Sequence, residues 1–157
     1  MTSTPRVSFS SSAKGLHRVI SLSFDDMDSI CAEELSRLLL LGTEMVVVDV
    51  RDEDFSGGHL PGAIHVPSQE FAEKAAAVAL QVAEHSICVI HCMKSSVRGP
   101  ACYRVLQSEL KKLESEGGSS CKLFLLKGGF ETWVSKWGSD PERETFIEGY
   151  DPQVWGS

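Results

Sequence analysis

Three short apolar runs decide what this chain can fold into. "EMVVVDV" (Glu44–Val50), "SICVI" ending at Ile90 and "CKLFLL" ending at Leu126 place apolar residues at consecutive positions instead of alternating ones. Such strands present apolar side chains on both faces and need cover on both, as in the interior of a parallel sheet. All are far shorter than the roughly 20 residues that span a bilayer. Between them the spacing turns helical. "AEELSRLLLLG" sets Leu35, Leu38, Leu39 and Leu41 on one side and closes on Gly42, with Cys31 at the boundary where a Ser or Thr cap is usual. "SQEFAEKAAAVALQVAEH" predicts a helix with Ser68 as N-cap. "RGPACYRVLQSELKKLES" predicts a helix starting at Arg98, with Pro100 in its first turn, where a missing N–H does no harm. "GFETWVSKW" groups Phe130, Trp133, Val134 and Trp137 on one face. Further strands are expected over Arg18–Ser23 and near Ala63–Val66, the latter inside a loop punctuated by Gly57, Gly58, Pro61, Gly62 and Pro67. Strands alternating with helices imply an α/β domain, its central sheet mainly parallel and helices on both faces.

A length of 157 residues suits a single domain. Residues 1–17 are expected to be a flexible, basic, Ser/Thr-rich tail, residues 18–137 the catalytic domain, and residues 138–157 an extension whose Phe146, Tyr150 and Trp155 pack back on it. The net charge of −7 argues against nucleic acid or an anionic membrane as partner. Residues 1–24 hold Arg6, Lys14 and Arg18 and no acid, which resembles a mitochondrial transit peptide. Too few apolar residues form an amphipathic face there, so a disordered tail and a cytoplasmic location are preferred, with the nucleus as the second option. Five cysteines (Cys31, Cys88, Cys92, Cys102 and Cys121) at irregular spacing fit free thiols in a reducing compartment. No Cys-x-x-Cys occurs, and neither a structural metal nor a bound cofactor is expected.

The chemistry is concentrated in "VIHCMKSSVRGP". Cys92 lies just past a buried strand, and Arg98 opens a helix six positions later. Ligands of open α/β sheets bind where strands end and helix N-termini point. Met93, Lys94, Ser95, Ser96 and Val97 are all non-proline, so each keeps an N–H that can aim at one point. Such a field favours a thiolate at Cys92 and also binds a tetrahedral oxyanion. The Arg98 guanidinium offers a planar fork for two oxygens. The expected chemistry is in-line attack by sulfur, with the developing charge held by amides and guanidinium. Ser95 and Ser96 either bond the oxyanion or thiolate with their hydroxyls or are simply small enough to fit. His91 is expected to be buried and hydrogen-bonded to loop backbone, with direct tuning of the thiol as the alternative. The alternative for Cys92 itself is an ordinary buried thiol beside a surface arginine.

These segments resemble a known family. "VVVDVRDEDFSGGHLPGAIHVP" is similar to the first half of a rhodanese-fold domain and "FLLKGGFETW" to its end. "HCMKSSVRGP" resembles the active loop of the rhodanese-fold cell-cycle dual-specificity phosphatases and of the eukaryotic arsenate/antimonate reductases. The resemblance implies that Cys92 is the nucleophile and Arg98 the oxyanion binder, and that Asp49 and Arg51 support neighbouring loops. His59 is expected to be structural. Sulfurtransferases of the fold usually carry a loop one residue shorter, so this length implies phosphate or arsenate. The cell-cycle phosphatases have acidic residues within the loop; Met93 and Val97 stand there instead, and a proton donor has to come from elsewhere, with Asp52, Glu53 and Asp54 following the second strand. Those phosphatases also keep a back-up cysteine at the position of Val50. Its absence implies an external thiol, glutathione or glutaredoxin, for a reductase cycle. The ranking that follows is arsenate/antimonate reduction with protein-tyrosine-phosphatase-like activity, then hydrolysis of phosphate monoesters as the main role, then sulfur transfer from thiosulfate, then a catalytically silent phospho-binding module.

Overall fold

The computed structural model describes residues 27–118 and 120–155. The strand expected over Arg18–Ser23 and the basic tail of residues 1–17 lie outside them. Five strands, β1 (Ser29–Ile30), β2 (Met45–Asp49), β3 (Ile64–His65), β4 (Ile87–His91) and β5 (Lys122–Leu126), form one sheet in the order β1-β5-β4-β2-β3. Every pairing is parallel. The described residues also form six α-helices, α1 (Ala32–Leu40), α2 (Ser68–Val82), α3 (Arg98–Ser115), α4 (Gly129–Trp137), α5 (Arg143–Phe146) and α6 (Pro152–Trp155). Among the described residues no helix is long and apolar enough to cross a membrane.

The consecutive apolar residues of the strands divide between the two faces. Val46, Val48, Cys88, Ile90, Leu123 and Leu125 meet Phe71, Ala75, Val78 and Ala79 of α2 and Cys102, Tyr103 and Leu106 of α3. Val47, Val89, Phe124 and Leu126 point the other way, onto Leu35 of α1 and Phe130 and Trp133 of α4. Each fully buried aliphatic side chain contributes about 1.5–3 kcal/mol relative to exposure, which is why both faces have to be covered. The C-terminal segment joins the second layer. Phe146 is buried there, Trp133 Nε1 donates to the Phe146 carbonyl at 2.9 Å, and Trp155 Nε1 donates to the Gly57 carbonyl at 2.9 Å.

One helix start differs in detail from expectation and one agrees with it. Ser68 is the first residue of α2 and Pro67 takes the cap position, because the Ser68 hydroxyl is engaged elsewhere, donating to Asp52 Oδ2 at 2.6 Å. Cys31 caps α1 with its sulfur, which accepts from the Glu34 amide at 3.5 Å.

The topology creates one crevice. After β2 the chain turns outward to β3, whereas after β4 it crosses by α3 to β5 on the other side. The loops leaving β2 and β4 therefore diverge, and the gap between their carboxyl ends is the place where such sheets bind ligands. The register sets Asp49 opposite His91 at that edge. Residues following β2 and β4 are thereby brought face to face across some forty positions of sequence.

Candidate functional site

The loop after β4 wraps around one sulfur. Cys92 is buried, and its Sγ accepts from the Ser95 amide and from the Gly99 amide, each at 3.1 Å. Gly99 belongs to the first turn of α3, so the helix start itself faces the thiol and favours negative charge on it. Ser95 holds a left-handed backbone, φ 57°, which turns its N–H inward. The amides of Met93, Lys94, Ser96 and Val97 have no acceptor among the described residues. That leaves a set of donors around the sulfur available to an anion.

The peptide of Cys92 is pinned from several directions. Its carbonyl accepts from His91 Nδ1 at 2.9 Å and from the Phe130 amide at 3.0 Å, while the Met93 carbonyl accepts from the Glu131 amide at 2.8 Å. The N-terminus of α4 is therefore spent on the loop's carbonyls, and the field at the sulfur comes from the loop and α3. Gly129 makes that approach possible. At φ +60° it would place an added Cβ 2.5 Å from the Met93 oxygen and 2.6 Å from the Cys92 oxygen, both rigid backbone. Gly129→Ala is expected to cost about 2 kcal/mol or more, from the left-handed backbone and the collision together. A lowered urea midpoint at unchanged m-value is the check.

Below the sulfur lies a buried polar cluster. Asp49, Arg51 and His91 are all fully buried. Arg51 Nε and Nη2 donate to the Asp49 carboxylate at 3.0 and 2.8 Å. The remaining donors of Arg51 reach the Asp54 carbonyl at 3.2 Å and the Gly58 carbonyl at 2.8 Å, and its guanidinium lies over the Phe130 ring at 4.1 Å. One arginine thus holds the backbone of the loop after β2. Burial works against the Asp49 carboxylate, but the attraction of His91 and the bonds from Arg51 outweigh it and keep the group below its usual range. Burial pushes the His91 imidazole down, against the pull of Asp49, whose Oδ2 is 3.6 Å from Nε2. With Nδ1 donating to the Cys92 carbonyl, His91 meets Cys92 through its backbone.

Arg98 reaches back across the crevice. Nη2 meets Asp54 Oδ2 at 2.7 Å, and Nη1 meets Asp54 Oδ1 at 3.0 Å and Asp52 Oδ2 at 3.1 Å. Those bonds, Asp54 first, raise the guanidinium further above its ordinary value. A cavity of about 370 Å³ opens over the sulfur, lined by Cys92, Met93, Lys94, Ser96, Val97, Arg98 and Asp54. The structure brings together six of the seven residues expected at the nucleophile loop. Ser95 is the exception: it offers its amide to the sulfur, while its hydroxyl is buried without a partner. Asp52 and Asp54 were legible as acids near the second strand, yet their pairing with Arg98 depends on the register of β2 against β4.

The remaining thiols are less available. Burial raises the Cys102 thiol to about 11, with the neighbouring Cys92 adding to the effect. Burial pushes Cys88 well above its ordinary value.

Comparison with known proteins agrees with this architecture. The chain is 32% identical over 121 residues to the CDC25-like phosphatase YCH1 of Saccharomyces cerevisiae, covering 69% of this chain and 76% of that protein. It is 30% identical over 105 residues to arsenate reductase 2.1 of Oryza sativa, covering 66% and 65%. The solved As-Sb reductase of Leishmania major superposes with a TM-score of 0.65 at 27% identity, covering 73% of this chain and 81% of that one. A model of the rhodanese-like domain matches residues 32–136, so the chain belongs to the rhodanese-like family, in a branch whose relatives are Cdc25-like phosphatases and arsenate reductases.

Proposed function

We propose that this protein is a cysteine-dependent enzyme that attacks tetrahedral oxyanions, reducing arsenate or antimonate and also hydrolysing phosphate monoesters. The observation that carries this reading is the sulfur of Cys92, which takes two amide hydrogen bonds at the floor of a cavity rimmed by unpaired amides and Arg98. Amides and guanidinium aimed at one point stabilise the charge that builds on the oxyanion in the transition state.

For arsenate, sulfur attacks arsenic and one oxygen, once protonated, leaves as water. A second thiol, from glutathione or glutaredoxin, then attacks the Cys92 sulfur. The S–As bond breaks with its electron pair on arsenic, so arsenic(V) becomes arsenic(III) while the two sulfurs become a mixed disulfide. Another thiol restores Cys92. The raised Cys88 and Cys102 thiols favour an outside reductant over an internal one, because exchange needs a thiolate. Monoester hydrolysis is favoured by the carboxylates of Asp52 and Asp54 beside Arg98, which supply the acidic groups that the loop itself lacks.

The test is a set of three assays on one preparation: an aryl phosphate, arsenate with glutathione and glutaredoxin, and thiosulfate with cyanide. Turnover is expected with the first two. Turnover with thiosulfate alone would make the protein a sulfurtransferase, and inertness in all three would make it a binding module.

A further inference from the structure

We propose that Asp54 is the general acid of this site, clasped by Arg98 while the site is empty and released when an oxyanion takes the guanidinium. The inference rests on the monoester reading above.

Four observations single out Asp54. It lines the cavity that Cys92 and Arg98 share. Its carboxylate spans both terminal nitrogens of Arg98, the two donors a tetrahedral anion would claim. Beyond Arg98 its carboxylate is held by main-chain amides of its own loop, the Asp52 amide donating to Oδ1 at 2.9 Å, and about a third of the side chain is exposed. Asp52 is placed differently. Its Oδ2 accepts from the Ser68 hydroxyl at 2.6 Å and its Oδ1 from the Gln69 amide at 3.2 Å, which ties it to the start of α2 and away from the cavity lining. Asp52 keeps hold of Arg98 Nη1 at 3.1 Å, so the guanidinium stays oriented after Asp54 lets go.

The exchange also supplies the proton. The Arg98 hydrogen bonds hold the Asp54 carboxyl below the usual carboxylate range. Facing it are Arg98 from α3, Asp52 from its own segment, and Cys92 and Lys94 from the cysteine loop, while Arg51 reaches the main-chain carbonyl of Asp54. An arriving phosphate dianion takes Arg98 and sets two negative charges beside the carboxylate. Both changes favour protonation. In the first step the S–P bond forms, the ester O–P bond breaks, and the Asp54 proton passes to the departing oxygen, giving thiophosphoryl enzyme, alcohol and Asp54 carboxylate. In the second step that carboxylate takes a proton from water as water attacks phosphorus. The S–P bond breaks, and thiolate, hydrogen phosphate and protonated Asp54 result.

The experiment is a leaving-group series on Asp54→Asn, from dinitrophenyl to phenyl phosphate. A general acid matters most for the poorest leaving group, so kcat on phenyl phosphate is expected to fall on the order of 10²-fold or more. The dinitrophenyl ester should be nearly unaffected, tungstate should bind the variant more tightly because Arg98 is freed of the Asp54 charge and keeps only Asp52, and Asp54→Glu should restore part of the loss. Equal losses on every ester would show a merely structural role and overturn the proposal, as would a variant with wild-type dependence on the leaving group. A wild-type protein inert toward all esters would overturn both this proposal and the monoester reading, whereas an active wild type with an unaltered variant sinks Asp54 alone.

Discussion

Cys92→Ser is expected to abolish turnover of arsenate and aryl phosphate alike, by at least about 10³-fold in kcat, as removal of a nucleophile does elsewhere. A serine hydroxyl remains protonated at neutral pH, and the amides that surround the sulfur cannot remove its proton. The ligand cradle should survive, because it is built from the loop amides and Arg98. The position is buried and the change nearly isosteric, so the fold should persist. Tungstate titration by calorimetry separates the two properties: binding retained, turnover gone. Residual turnover near the wild-type level would place the nucleophile elsewhere and dismantle the mechanism.

Arg51→Met is expected to be the most destabilising single change, at about 3–5 kcal/mol, because it strands a buried carboxylate without its partner. That is a large share of the roughly 5–15 kcal/mol that holds a domain together. Asp49 would keep only the main-chain amide of residue 51 and the neighbouring His91, neither of which replaces the guanidinium charge, and the loop after β2 would lose its anchors at the Asp54 and Gly58 carbonyls. Urea midpoints should show the double change Asp49→Leu with Arg51→Met to be less damaging than Arg51→Met alone, since no unpaired charge is left behind. The pH dependence of the unaltered protein has a definite sign. Asp49 is depressed, so its contribution is complete above the ordinary carboxylate range and is lost as pH falls through its folded value. His91 is also depressed, so below the ordinary histidine value the unfolded chain gains protons first, and stability declines there too.

The parallel sheet was legible because its signal is local: "VVV", "CVI" and "LFLL" are apolar on both faces and leave no other solution. The geometry of the cysteine loop was legible for the same reason, since Cys92, five donors and Arg98 are contiguous. The acidic side of the site was not. Asp52 and Asp54 precede Arg98 by more than forty residues, and only the pairing of β2 with β4 determines that they meet it. Gly129 was hidden for a related reason. Its need to be glycine comes from the carbonyls of Cys92 and Met93, which another strand delivers. Ser68 shows that a cap residue read from sequence can be drawn away by a stronger partner, here Asp52.

All three tryptophans of the chain, Trp133, Trp137 and Trp155, pack in the layer beneath α1 and α4. Tryptophan emission, excited apart from that of Tyr103 on α3, therefore watches one side of the sheet and leaves out the α2–α3 side, where the sulfur's helix resides. Tryptophan emission reports one layer and far-ultraviolet dichroism the whole backbone, so coincidence of the two melting curves tests how cooperatively the two layers come apart.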